Sequence, residues 1–136
     1  MTDQPWTRIS GFVLGSPDPK GLAAFYSKLL GWPIRTADDT WVTLKPPYDG
    51  PGLSFQLEDV YDPPEWPARH ESQQMMAHLD IQVEDLEVAG EHAKACGAHL
   101  AEFQPQDDVR VWLDPAGHPF CLWVVPPGWV EPEAEP

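Results

Sequence analysis

The chain has 136 residues, enough for one domain or two small modules sharing a core, and its 42% apolar content with seven Trp excludes disorder except at the ends. Eight basic residues against 22 acidic ones leave a formal charge of −14 with no run of adjacent Lys or Arg, so nucleic acid is excluded as the expected partner. Two Cys without metal-type or framework spacing, no basic-then-apolar leader and no apolar run near the roughly 20 residues that span a bilayer point to a cytoplasmic protein with no membrane partner.

Residues 8–15, RISGFVLG, read as a strand, punctuated by SPDP at 16–19. Leu22, Phe25, Tyr26, Leu29 and Leu30 then fall at helical spacing. Ser16 or Asp18 can cap that helix, Pro19 suits its first turn, and Gly31 ends it. Short strands are predicted over 33–36, 40–45 and 53–58. The stretch 59–74 has no periodicity, three Pro and Trp66; it reads as a linker, with an active-site flap as the alternative.

The second half repeats this order. A strand over 75–83 precedes Asp85, which caps a helix carrying Leu86, Ala89, Ala93 and Cys96, closed by Gly97. Strands follow over 99–104, 109–114 and 120–125. The offset between halves is about 67 residues, half the chain, so the expected organisation is a tandem βαβββ repeat of class α+β. In a single domain, module one would cover 8–58 and module two 75–126, with an acidic, Pro-rich tail at 127–136.

Strand alternation sorts the candidate site residues. Leu53, Phe55 and Leu57 share one face, and Ser54, Gln56 and Glu58 the other. Likewise Met75, Ala77, Leu79, Ile81 and Val83 should face the helix, with Met76, His78, Asp80 and Gln82 opposite. Phe120, Leu122 and Val124 make a helix-side face, opposite Cys121, Trp123 and Val125. His78 with Asp80 reads either as a polarised general base or as an imidazole satisfied by its neighbours. Cys121 reads as a small buried residue, since no neighbouring base lowers its pKa. His118 reads as a solvated turn residue, Asp114 as a turn former bonding its own backbone, and Gly117 as the positive-φ position. His92 and His99 read as surface residues, and Met75 and Met76 as core filler.

The tandem unit, with LAAFYSKLLGW in the first helix, HLDIQVEDLE opening the second half and DPAGHPFCLW near the end, resembles the vicinal oxygen chelate superfamily, the group of glyoxalase I, bleomycin-resistance proteins and extradiol dioxygenases. The resemblance covers roughly residues 8–126 and implies curled mixed sheets around a pocket, helices outside, and frequent homodimers. In that superfamily, enzymes hold a divalent metal with ligands from the first and last strands of each module. The matching positions are Gly11 (Ser10 or Phe12 if the register slips), Gln56, His78 and Cys121. Only His78 is a strong ligand, so no metal cofactor is expected. The alternative is a divalent ion at a soft site of His78, Cys121 and a loop donor such as His70. The implied pocket is lined by Trp41, Gln56, His78, Asp80, Cys121 and Trp123, a mixture suited to a small organic ligand, with Thr43 as a further candidate. The expected function is therefore a glyoxalase-like, bleomycin-resistance-like binder of an aromatic or cationic small molecule. Two alternatives stand beside it. One is a metal-dependent or acid–base lyase, isomerase or dioxygenase acting on a vicinal-oxygen substrate; the other is an interaction module working through the acidic tail or an exposed Trp.

Overall fold

The computed structural model describes residues 3–129 and divides into two compact units, residues 1–62 and 63–136; most of the tail at 127–136 lies outside the described residues. In the first unit β1 (Gly11–Ser16) leads into α1 (Pro19–Leu30), followed by β2 (Ile34–Ala37), β3 (Trp41–Leu44) and β4 (Gly52–Leu57). In the second, β5 (Leu79–Gln82) leads into α2 (Leu86–Cys96), β6 (His99–Leu100), β7 (Val109–Leu113) and β8 (Pro119–Trp123). The sheets run β1-β4-β3-β2 and β5-β8-β7-β6. In each, the first and last strands pair parallel and the other pairs are antiparallel. The α+β repeat of βαβββ units is the one the sequence predicts.

Both helices begin and end where their caps dictate. The Asp18 carboxylate accepts from the Gly21 amide, and that of Asp85 from Glu87 and Val88, satisfying amides that have no partner inside the helix. Gly31 at φ 73° and Gly97 at φ 117° close the C-termini in the left-handed conformation. Helix α1 buries Leu22, Ala23, Phe25 and Tyr26, over a β3–β4 face of Val42, Leu44, Leu53 and Phe55.

The register is shared between the units. Adding the 67 residues that separate Asp18 from Asp85 turns the pair Val13–Ser54 into Asp80–Cys121, and Gly15–Gln56 into Gln82–Trp123. Ser54 is therefore the internal counterpart of Cys121, and Gln56 that of Trp123. The same shift carries Ala23 and Tyr26 onto Gly90 and Ala93. Where α1 carries Tyr26, α2 carries only Ala93, and Trp112 of β7 packs against Gly90, the counterpart of Ala23. A Cβ on Gly90 would stand 3.0 Å from that indole, so the helix yields volume where the sheet gains it. This trade explains why the halves share a pattern and few identities.

Several strands are shorter than predicted. β5 begins at Leu79 rather than 75, because its parallel partner β8 begins at Pro119, which has no amide to donate. Met76, expected as core filler, is 90% exposed. β6 stops at Leu100 rather than 104 because the Gln104 side chain takes over the next place in the ladder. Its amide nitrogen donates to Ala101 O and Val111 O, and its oxygen accepts from Val111 N, all at 2.8 Å. Within 59–74, Trp66 belongs to the second unit, where its indole donates to Phe103 O at 3.0 Å.

Candidate functional site

The residues that carry chemistry meet on β5 and β8, the parallel pair at one edge of the second sheet. Asp80 lies directly beside Cys121 in the ladder, and Gln82 beside Trp123. His78 precedes β5 and folds over it, so that His78 Nε2 stands 3.0 Å from Asp80 Oδ1. The ligating atoms of His78, Asp80 and Cys121 all lie within 4.8 Å of one another. Beside them is an open hollow of about 490 Å³, with Trp123 and Trp129 in its walls. Three carboxylates, Asp80, Asp107 and Asp108, line it, and no Lys or Arg does.

The three polar groups satisfy one another. An ionised carboxylate only accepts, so the imidazole N–H donates to Asp80, as does the Cys121 thiol. Burial, followed by the Asp80 charge and its hydrogen bond, pushes the thiol pKa up from 9.0 to about 11. Cys121 therefore stays protonated at neutral pH and is a poor nucleophile, as its sequence environment suggested. Removing the charge in Asp80→Asn is expected to lower that pKa by part of its rise, since burial, the largest cause, remains. Alkylation of Cys121 by iodoacetamide at pH 8.5 would then quicken by about tenfold for each unit recovered. Peptide mass spectrometry reads this, with Cys96 on α2 as internal control; an unchanged rate would deny the contact.

Asp80 is the donor that sequence reasoning about metals missed. The sequence places it in the pocket lining and as a partner for His78, and the ladder sets it against Cys121 as well. The available signal was parity: Asp80 shares a strand face with His78, and Cys121 shares one with Trp123. His70, the loop donor considered, does not belong to the group of three. Trp41 and Gln56 belong to the first unit, where they pair across β3 and β4, and Gln56 Nε2 donates to Glu58. Thr43 pairs with Ser54 in the same ladder.

His118 is not solvated, contrary to expectation. Its side chain is 16% exposed and its Nδ1 donates to Asp114 Oδ2 at 2.8 Å. Asp114, itself 2% exposed, also accepts from the amides of Ala116 and His118, both at 2.9 Å. Gly117 adopts φ 93° in this turn, as predicted. The arrangement is a fully bonded loop that fixes the entry to β8.

One imidazole, one carboxylate and one thiol suit a borderline-soft ion such as zinc, once the thiol ionises. They do not suit a hard, oxygen-preferring cation, which calls for more carboxylates than the single one here.

A sequence profile described as a glyoxalase-like domain matches residues 11–123. No functionally curated protein matches the sequence. Among solved structures, a glyoxalase/bleomycin resistance protein/dioxygenase family enzyme from Burkholderia phytofirmans PsJN superposes with a TM-score of 0.67 at 16% identity, covering 88% of this chain and 99% of that one. A glyoxalase-related enzyme from Fulvimarina pelagi gives 0.63 at 18% identity, covering 88% and 89%. The fosfomycin resistance protein FosX of Listeria monocytogenes, solved as a point mutant complexed with Mn(II) and a dihydroxypropylphosphonic acid, gives 0.65 at 14% identity, covering 88% and 90%. At such identities the likeness is one of fold.

Proposed function

The chain belongs to the family of glyoxalase-like domains, and from that premise we propose that it is a small-molecule binder that holds a cationic aromatic guest without a catalytic metal. One observation carries the reading: a hollow lined by three carboxylates and no Lys or Arg, with two Trp in its walls. A desolvated cation over an indole face gains about 2 kcal/mol, and the carboxylates add attraction at the rim. His78, Asp80 and Cys121 supply hydrogen-bonding groups at the end of the hollow. The Mn(II) of the FosX structure is a hard ion, and the donor set here does not fit it. The protein is expected to act in the cytoplasm as a homodimer, with sedimentation velocity as the check on its state.

A second reading rests on the convergence of His78, Asp80 and Cys121. A zinc-type ion held by these three would supply Lewis-acid polarisation of a substrate oxygen, giving a lyase or isomerase; the dioxygenase alternative would call for a redox-active ion such as iron in its place. Capturing the ion has to expel a thiol proton held about two units more tightly than usual, which weakens the ion's hold at neutral pH.

Fluorescence titration with acridine orange, a cationic aromatic dye, together with elemental analysis of the purified protein, separates the two. We expect saturable quenching, no stoichiometric metal, and at least tenfold weaker binding in Trp123→Ala. Stoichiometric zinc lost on His78→Ala would establish the second reading. Absence of quenching at any dye concentration would remove the first.

A further inference from the structure

The first unit carries a hollow of the opposite sign. It is an open hollow of about 980 Å³, lined by Arg8, Arg35 and Lys45, three of the eight basic residues of the chain, with Asp49 as the acidic residue among the described residues that line it. Asp49 is bonded to Arg8. Among the other basic side chains of the described residues, Lys20 pairs with Asp39 and Arg69 with Glu65, whereas Lys28, Lys94 and Arg110 pair with no carboxylate; what sets Arg35 and Lys45 apart is that both line one hollow. Arg35 and Lys45, in a chain of net charge −14, have no ion-pair partner among the described residues.

The floor of this hollow is bare backbone. Gly11 and Gly52 sit opposite each other in the β1–β4 ladder. A Cβ on Gly52 would meet the Leu44 carbonyl oxygen at 2.5 Å, and one on Gly11 would come within 3.2 Å of Gly52 O. Both positions are thereby kept free of side chains where strands close tightly. Hydroxyls stand beside them. Thr36 and Thr43 share a hydrogen bond of 2.7 Å, and the Ser54 hydroxyl has no partner among the described residues. The exposed Tyr48 ring, packed edge-on against Trp32, contributes an aromatic wall.

We propose that this hollow binds a small organic phosphate monoester, a dianion bearing an aromatic or planar group. Two unpaired cations match a charge of two. The Arg35 guanidinium offers paired N–H groups to adjacent oxygens, and Lys45 acts as a mobile point charge. Ser54 donates to a remaining oxygen, and Tyr48 packs on the organic part. The net charge of the protein repels anions in general, so any anion held here is held by local groups. The site lies wholly in the first unit and stands or falls separately from the cation-binding hollow of the second.

The test is a titration of the isotopically labelled full chain, followed by amide NMR, with phenyl phosphate, inorganic phosphate and phenol. Phenyl phosphate is expected to give saturable shifts at residues 35, 45 and 54, phosphate weaker ones at the same amides, and phenol none. The double variant Arg35→Ala/Lys45→Ala should retain the dispersed spectrum and bind phenyl phosphate at least tenfold more weakly. Lys28→Ala/Lys94→Ala, which removes the same charge elsewhere, should bind as the parent does. Three results would overturn the site: no saturation by about 10 mM, undiminished affinity in the Arg35/Lys45 variant, or shifts confined to residues 63–129.

Discussion

Asp114→Ala is expected to cost about 3–5 kcal/mol of folding stability, a third or more of what a domain of this size commonly has. The carboxylate is buried and accepts from the Ala116 and His118 amides and the His118 ring. Truncation removes the acceptor shared by three donors of the turn, and a polar group that loses its bond in a part-buried place costs about 1–3 kcal/mol. Asp114→Asn keeps one acceptor oxygen for the two amides and should lose about half as much. His118→Ala removes one bond from a ring that is partly exposed and should cost less than either. Urea unfolding by circular dichroism gives the order. If Asp114→Ala proved milder than His118→Ala, the carboxylate would not be the hub of the turn. Because the turn feeds β8, the loss should also loosen Cys121 and Trp123.

Phe55→Ala comes next, at about 3–5 kcal/mol. The ring is fully buried on β4 and stacks on Tyr26 of α1, with centroids 5.7 Å apart and planes within 20°. Removing it deletes the transfer energy of the ring, opens a cavity, and ends an aromatic contact worth about 1 kcal/mol. Phe55→Leu keeps most of the volume and should cost about 1.5 kcal/mol. The same unfolding curves decide the matter. A loss below about 1.5 kcal/mol for the alanine variant would mean that the cavity closes by collapse of α1 onto the sheet.

The helices were readable from the chain because everything that sets them is local. Asp18 and Asp85 each bond amides within three residues, and Gly31 and Gly97 stop the helices through their own backbone freedom. The 67-residue period was readable for the same reason, since the caps repeat with it. The strand ends were not. β6 yields to the side chain of Gln104, which reaches across to the Val111 backbone, and β5 waits for a partner that begins at Pro119; both ends are set by contacts between strands that local pattern does not carry.

The site divides the same way. His78 and Asp80 lie two residues apart, and their shared face follows from alternation alone. That Cys121 joins them depends on register between strands some 40 residues apart, which hydrogen-bond pairing sets and local pattern leaves open. The signs of the two hollows were hidden altogether. A net charge of −14 describes the sum, whereas the gathering of Arg8, Arg35 and Lys45 on one hollow and of Asp80, Asp107 and Asp108 on the other is a matter of place. The order of elements, the caps and the alternation came from the sequence by itself. Which side chains touch, which protons are held and where each charge gathers were decided by tertiary structure, because those depend on distances that only the closed ladders create.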